Sequence, residues 1–508
     1  MTARVRALFS DWALWALLLV LAICVVYYWH GIGPGDAERY IDAALDWREA
    51  PTLGDNHWAL RHFLVLPMAA SFALFGANEF AATLPNILYA VALVALTYLF
   101  AKRVFGRTVA IVAAGLIATS GFFVARPIEL DVYGVEIVFV AIACWLFILA
   151  KFEPARLRYL AAAGFFTGLA WTVREQNMFL GVAFGLIVLA ERKGFFSAAI
   201  ALAGGFAFVL LAEMATYAIA AGEPLYRYLT DLNHTTVSPG KLESVETAGW
   251  VKTIFRPAKD ILLSPLVVPN IAFAAIGYAA FHRDLDKALS EKVRYALFVF
   301  LVVSAIGALI SSYGFYLTMP RYYPILCYSL FLLMAVFATI CLRKYDDRVG
   351  AVILAVIVLA NVFAADFSRY NDYDEARTLV RIALEGDEPI KTDPMTAFRA
   401  RYLLAFNGMD RTQAFERIAP TRAPAAGDLY FKGSAHSLER GWCVIETVKA
   451  RRSNWTHWLI RSAHLDRLVG EHIAETVKAP HDVALVRVGA SSEGGHCRLS
   501  NEDISRQP

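Results

Sequence analysis

Residues 12–29 read WALWALLLVLAICVVYYW, eighteen consecutive residues without a charge. As a helix the run is about 27 Å long, close to the ~30 Å hydrocarbon core of a bilayer. Arg4 and Arg6 precede it, and Tyr27, Tyr28 and Trp29 close it as an interfacial aromatic belt. A signal peptide has a shorter apolar stretch and a small-residue cleavage site. The run is therefore expected to stay as the first membrane span.

Similar blocks recur to position 366. The chain of 508 residues is 58% apolar and only 18% charged, with a mean hydropathy of +0.49. A soluble domain is about half apolar or less and about a quarter charged, so the excess apolar surface needs lipid as its solvent. The net charge of +3 gives no case for nucleic acid as a partner. Spans are expected at 11–29, 79–101, 108–125, 132–150, 157–173, 177–190, 195–221, 263–281, 295–318, 322–342 and 349–366. Beyond Asp366 the pattern breaks into short apolar runs among many Arg, Asp and Glu residues. Strand-like runs LYF (429–431), CVIETV (443–448) and VALVRV (483–488) alternate there with helical stretches near 372–386 and 396–406. The expected architecture is an all-α polytopic membrane domain over 1–366, with about eleven spans, followed by a soluble α/β domain over 367–508.

Charge sets the orientation. Lys and Arg concentrate in KRVFGR (102–107), KFEPARLR (151–158), ERK (191–193), HRDLDKALSEKVR (282–294) and RKYDDR (343–348). The alternate linkers RPIELD (126–131), REQN (174–177) and MPRYY (319–323) carry one Arg each. The positive-inside rule puts the basic set in the cytoplasm and the other set, the C-terminal domain included, outside. Residues 58–75 must then not span. Arg61, His62 and Pro67 interrupt their apolar run, which suits a helix lying at the outer interface. Two outer loops are long, 30–78 and 222–262. In the first, helical spacing of Ile41, Ala44 and Leu45 predicts a short amphipathic helix over 37–48.

Acids and arginines recur on the outer face: Asp36 and Glu38 after the first span, Arg126, Glu129 and Asp131 after the third, Arg174 and Glu175 after the fifth, and Arg321 between the ninth and tenth. Each alone could simply end a helix. Together, beside hydrocarbon, they form a functional-site candidate, because a charge there is costly unless paired or wet. Glu213 lies within the seventh expected span and calls for a cationic partner or a proton.

The runs GPGDAERY (33–40), LFGANEFAATLPN (74–86), AKRVFGR (101–107) and ATSGFFVARPIELD (118–131) follow in that order, and RYYPIL occupies 321–326. Together they resemble the lipid-phosphate-dependent glycosyltransferases of the GT-C fold, with the aminoarabinose lipid A transferases and the protein O-mannosyltransferases as relatives. The resemblance covers the first 150 residues in motifs and the rest mainly in layout. It implies a sugar on a polyprenyl phosphate as donor and a lipid, glycan or protein hydroxyl as acceptor. It implies Asp36 as catalytic base, with Asp131, five residues after Arg126, as the second acid. The family's adjacent Asp-Glu pair is split here into Asp36-Ala37-Glu38, which leaves the role of Glu38 open. Arg61 or His62 stands near the basic residue that the family places before the interfacial helix. Arg321 and Tyr322 fall in its late Arg-Tyr element.

The residue types suit that chemistry. A departing phosphate wants Arg forks, and a hydroxyl acceptor needs a base at the attack point. Arg126, Arg174 and Arg321 are accordingly expected to bind the donor phosphate as a group. No metal-ligand spacing appears and no cofactor is called for, although a divalent cation stays open. Cys443 and Cys497, both in the outer domain, are expected to form a disulfide. Two other readings compete. A secondary transporter would carry inverted repeats and polar mid-membrane breaks. A non-catalytic scaffold would leave the acid and arginine constellation without a role.

Overall fold

Runs of Leu, Val, Ala and Phe become helices in this chain because hydrocarbon offers no partner for a backbone N–H or C=O, so each segment must satisfy its own. The computed structural model describes residues 11–33, 36–50, 52–192, 194–236, 268–314, 320–344, 347–367, 373–433, 442–449, 455–462 and 482–488. Its helices up to residue 367 are α1 (Trp12–Tyr28), α2 (Ala37–Glu49), α3 (His62–Phe75), α4 (Glu79–Val104), α5 (Arg107–Ala118), α6 (Val132–Phe152), α7 (Arg156–Val173), α8 (Met178–Glu191), α9 (Phe195–Ala221), α10 (Tyr226–Thr236), α11 (Val268–Ala288), α12 (Glu291–Leu309), α13 (Pro324–Lys344) and α14 (Asp347–Phe367). The chain is a multi-pass membrane protein. Helices overlap each of the expected spans, the one at 108–125 only in part. Among the described residues, α4, α6, α9, α12 (to Ser312) and α13 are long and apolar enough to cross a membrane alone.

The expected continuous span at 108–125 is instead broken. The helix α5 stops at Ala118 and the chain bends by 57° into Gly121–Glu129. Ser120 makes the break: its side chain caps the next turn by accepting from the Phe122 N–H at 3.1 Å. The helix α3, with fourteen residues, rises only about 21 Å, less than a bilayer core.

Two compact units result. The first comprises Met1–Gly31, Arg39–Leu74 and Ala81–Ser368; the second comprises Ile32–Glu38, Phe75–Phe80 and Arg369–Pro508. In the first, three spans meet at the buried Tyr328 of α13, whose hydroxyl lies 2.9 Å from Thr97 Oγ1 of α4 and accepts from Trp145 Nε1 of α6 at 2.8 Å. Helices α7 and α9 cross in backbone contact. A Cβ on Gly164 would sit 2.0 Å from the Leu202 carbonyl oxygen, and one on Gly205 would sit 2.0 Å from that of Ala161. Small residues at such crossings let membrane helices approach closely.

The second unit carries the helices α15 (Tyr373–Glu385), α16 (Pro394–Phe406), α17 (Arg411–Arg417) and α18 (Trp455–Ser462). Its strands are β1 (Ile390–Thr392), β2 (Ile418–Pro420), β3 (Leu429–Lys432), β4 (Trp442–Lys449) and β5 (Asp482–Val488). They form one sheet in the order β2-β1-β3-β5-β4, parallel on both sides of β1 and antiparallel from β3 through β5 to β4. Alternation along β3 and β5 buries Tyr430, Ala484, Val486 and Val488 in a small core against Trp442. Cys443 in β4 is disulfide-bonded, and Cys497, its expected partner, lies outside the described residues.

Candidate functional site

The basic linkers meet at one end of the first unit. Asp11 accepts from Tyr98 at 2.8 Å and from Lys102 at 2.6 Å, and Arg103 pairs with Glu153 at 2.8 Å. Glu191 takes both Lys151 and Arg156 at 2.9 Å, and Lys292 donates to the Arg103 carbonyl at 3.2 Å. Four of the five basic linkers are thereby tied together at a single face. The opposite ends of the same helices carry the sparse linkers.

The turn holding Arg126 and Asp131 is fixed from two sides. Asn86 of α4, fully buried, donates to the Pro127 carbonyl at 2.6 Å and to that of Asp131 at 2.7 Å. Gly134 of α6 lets the turn lie close, since a Cβ there would meet Pro127 Cβ at 2.7 Å. Leu130 takes φ 79°, a left-handed conformation that costs a non-glycine residue of order 1–3 kcal/mol and clusters at functional sites. Asp131 follows it. One oxygen caps α6 by accepting from the Tyr133 N–H at 3.2 Å. Burial raises the Asp131 carboxyl above its usual range, against the opposing charges of Arg321, Arg126 and Arg174.

Those three arginines differ in what they touch. Arg174 is buried and committed: it donates to Glu136 at 3.0 Å and to Gln176 at 2.9 Å, while Gln176 donates to the other Glu136 oxygen at 3.0 Å. Its guanidinium carbon lies 4.6 Å from the Tyr133 ring centre and 5.1 Å from that of Tyr322. Arg321 lies against the same two rings, at 5.8 and 5.4 Å, but has no carboxylate within ion-pair distance among the described residues, and its Nε has no acceptor. Tyr322 records the surplus of positive charge. Burial would raise its phenol, yet the bond and charge of Arg321, with Arg174 behind it, lower it instead. Arg126 is exposed, with no ion pair among the described residues.

A second network adjoins the first. Arg227 of α10, 3% exposed, pairs with Glu175, with Glu213 at 2.8 Å and with Asp231 at 3.7 Å. It also donates to the Thr172 carbonyl at 2.6 Å. Glu213 therefore has the cationic partner that its place in an apolar span demands. Burial, and then the charge of Glu175, raise the Asp231 carboxyl; Arg227 overcomes burial at Glu175 and lowers it. Arg61 bonds the Tyr40 hydroxyl. His62 packs edge-on against Trp47 at 6.0 Å, and burial plus the Arg227 charge hold its imidazole down at about 4, so it is neutral at pH 7.

Comparison with known proteins follows this geometry. The profile of the family described as dolichyl-phosphate-mannose-protein mannosyltransferase matches residues 64–217. Among solved structures the chain is similar to the oligosaccharyltransferase of Archaeoglobus fulgidus in complex with Zn and sulfate. The TM-score is 0.52 at 15% identity, over 77% of this chain and 61% of that one. It is similar also to ArnT from Cupriavidus metallidurans bound to undecaprenyl phosphate. That TM-score is 0.52 at 13% identity, over 97% of this chain and all of the other. The protein has the GT-C fold. The chain spans 61% of the length of the Archaeoglobus enzyme, and no curated protein sequence matches it.

Within this GT-C chain the expected site residues divide between the units. Asp131, Arg126, Arg174, Arg321, Tyr322, Arg61 and His62 belong to the first, and Asp36 and Glu38 to the second. Asp36 directly precedes α2, is exposed, and makes no hydrogen bond or ion pair among the described residues, so its carboxylate does not cap the helix. Glu38 is 5% exposed and accepts from the Tyr373 hydroxyl at 2.6 Å, with Arg399 at 3.8 Å. Among the described residues no group of three or more His, Cys, Asp or Glu side chains could hold a metal ion. Sequence reasoning passed over Tyr133, Glu136, Gln176 and Arg227. Glu136 was detectable, as an acid inside an otherwise apolar span; Arg227 was not, since it sits in a polar loop among other charges.

Proposed function

We propose that this protein transfers a sugar from a polyprenyl-phosphate donor to a hydroxyl on a lipid, glycan or protein acceptor, at the outer face of a bacterial inner membrane. The observation that carries this reading is Arg321, a cation beside Tyr322 and Tyr133 with no carboxylate partner among the described residues. An arginine with no carboxylate partner among the described residues, at the end of a lipid-embedded bundle, suits an anion brought by a lipid. Arg126, exposed and likewise without an ion pair among the described residues, is the second candidate for that anion. Both charges bear on Asp131.

In this reading Asp36 accepts the proton of the acceptor hydroxyl as its oxygen attacks the anomeric carbon. The bond from that carbon to the donor phosphate breaks on the opposite side, inverting the configuration. The polyprenyl phosphate leaves with the bonding pair, and Arg321 and Arg126 stabilise its charge. The exposed, unpaired carboxylate of Asp36 supports the base role over the cap role. Asp131, committed to capping α6, fits a supporting acid that orients the Arg126 turn.

The test is transfer by purified protein from a polyprenyl-phosphate sugar, with Asp36→Asn beside the parent. Loss of a general base lowers turnover by about 10²- to 10⁴-fold, with expression and donor binding retained. Activity within a few-fold of the parent would remove Asp36 from the chemistry. Comparing surface lipids and glycans of cells with and without the protein identifies the acceptor.

A further inference from the structure

Asp36 lies on a segment whose two ends are both fastened within the second unit. At one end, Ile32 is held through both backbone groups: its N–H donates to Glu79 Oε1 at 3.0 Å, and its carbonyl accepts from Arg377 Nη2 at 3.0 Å. Arg377, on α15, also binds Glu79 at 2.5 Å and Asp374 at 3.1 Å. At the other end the buried Glu38 carboxylate takes the hydroxyl of Tyr373, on the same helix, at 2.6 Å, with Arg399 of α16 at 3.8 Å. Tyr373 is fully buried, and Arg377 and Arg399 lie 5.8 and 5.6 Å from its ring centre. Between these anchors Asp36 is exposed and unpaired among the described residues.

We infer that Tyr373 and Arg377 of the C-terminal domain are positioning residues for Asp36, holding the chain at Ile32 and at Glu38, on either side of it, so that its carboxylate is held for catalysis. The inference rests on the reading of Asp36 as base. Its physical basis is preorganisation. A catalytic group works only when neighbouring contacts fix it to within a fraction of an ångström, and misplacement by about 1 Å can cost on the order of 10²-fold in rate. Glu38 then belongs to the clamp and not to the chemistry. The split Asp36-Ala37-Glu38 spacing sends the second acid into the domain, leaving the first at the surface. The C-terminal domain then supplies the positioning residues of the candidate base.

The test uses the full-length purified protein and a polyprenyl-phosphate sugar donor. Tyr373→Phe removes one hydroxyl from a buried ring, and Arg377→Gln removes the Ile32 and Glu79 contacts. Both are expected to lower kcat by about 5- to 50-fold, with the donor KM within twofold of the parent and, for Tyr373→Phe, a melting temperature near the parent's. Because both act through Asp36, neither should lower turnover further in an Asp36→Asn background, a non-additivity that a purely structural contact would not produce. An inactive Asp36→Asn beside a folded Tyr373→Phe and Arg377→Gln of parental kcat would overturn the clamp and leave the base standing. Full additivity, or a loss confined to KM, would also overturn the clamp. An active Asp36→Asn would overturn the base, and the clamp with it.

Discussion

Replacing Arg321 and, separately, Arg174 by alanine should separate two residues that the sequence, which makes each the lone Arg of a short linker, expects to share one role. Arg174 is saturated: Glu136 neutralises its charge at 3.0 Å, Gln176 takes a second donor at 2.9 Å, and two tyrosine rings lie within cation–π distance. The side chains of the pair are 9% and 1% exposed. Removing one member of such a buried pair leaves the other uncompensated, at about 3–5 kcal/mol of stability. Arg321 has no carboxylate partner to abandon among the described residues. Its loss should instead remove a charge-assisted bond to the donor phosphate, about 1.5–3 kcal/mol, which is roughly 10- to 150-fold in affinity. Binding of a polyprenyl phosphate to detergent-solubilised protein, by calorimetry or thermophoresis, reads the second effect, and the melting temperature reads the first. Arg321→Ala should bind weakly and melt normally; Arg174→Ala should melt early, and Glu136→Gln added to it should restore part of the loss. If Arg174→Ala bound as weakly as Arg321→Ala at an unchanged melting temperature, assigning roles by pairing would be wrong.

Arg227→Met should lower the melting temperature strongly, since it strands Glu175, Glu213 and Asp231 around a buried site, at about 3–5 kcal/mol; Glu213→Gln in that background should recover part of it. His62, held at about 4 by burial and the Arg227 charge, must stay neutral in the folded state. As pH falls from about 6.5 towards 4, the unfolded chain takes a proton that the folded one refuses, and stability is lost. Melting curves over that range should be flatter for His62→Gln than for the parent. Mass spectrometry without reduction should recover a Cys443 peptide linked to Cys497, and two free thiols would refute that pairing.

Much of the fold was legible because lipid imposes one rule everywhere: an apolar run of sufficient length becomes a helix. The strands at 429–432, 442–449 and 482–488 showed in alternating or β-branched runs, whereas Ile390–Thr392 and Ile418–Pro420 did not, being only three residues each. The break after Ala118 escaped because its cause is a side-chain cap by Ser120, and Thr119-Ser120 is a short polar step in an otherwise apolar run. The motifs carried more than their own positions. LPN, at 84–86, and RPIELD, at 126–131, are forty residues apart in the chain, and Asn86 binds the turn formed by the second.

What the sequence could not divide was charge already spent from charge still available. Arg126, Arg174 and Arg321 each stand alone in a short linker, and composition treats them alike. Their fates are decided by an acid that each linker does not contain. Glu136 sits on α6, thirty-eight residues before Arg174, facing it by way of helix packing alone. Glu213 and Glu175 converge on Arg227 from two different elements. An arginine paired this way is structural, however suggestive its linker. In the proposed reading, one left among tyrosine rings without a carboxylate among the described residues keeps its field for a ligand. The same logic applies to the acids. Glu38 is committed to Tyr373 and Asp131 caps a helix, and among the three candidate acids Asp36 is the one left without a partner among the described residues.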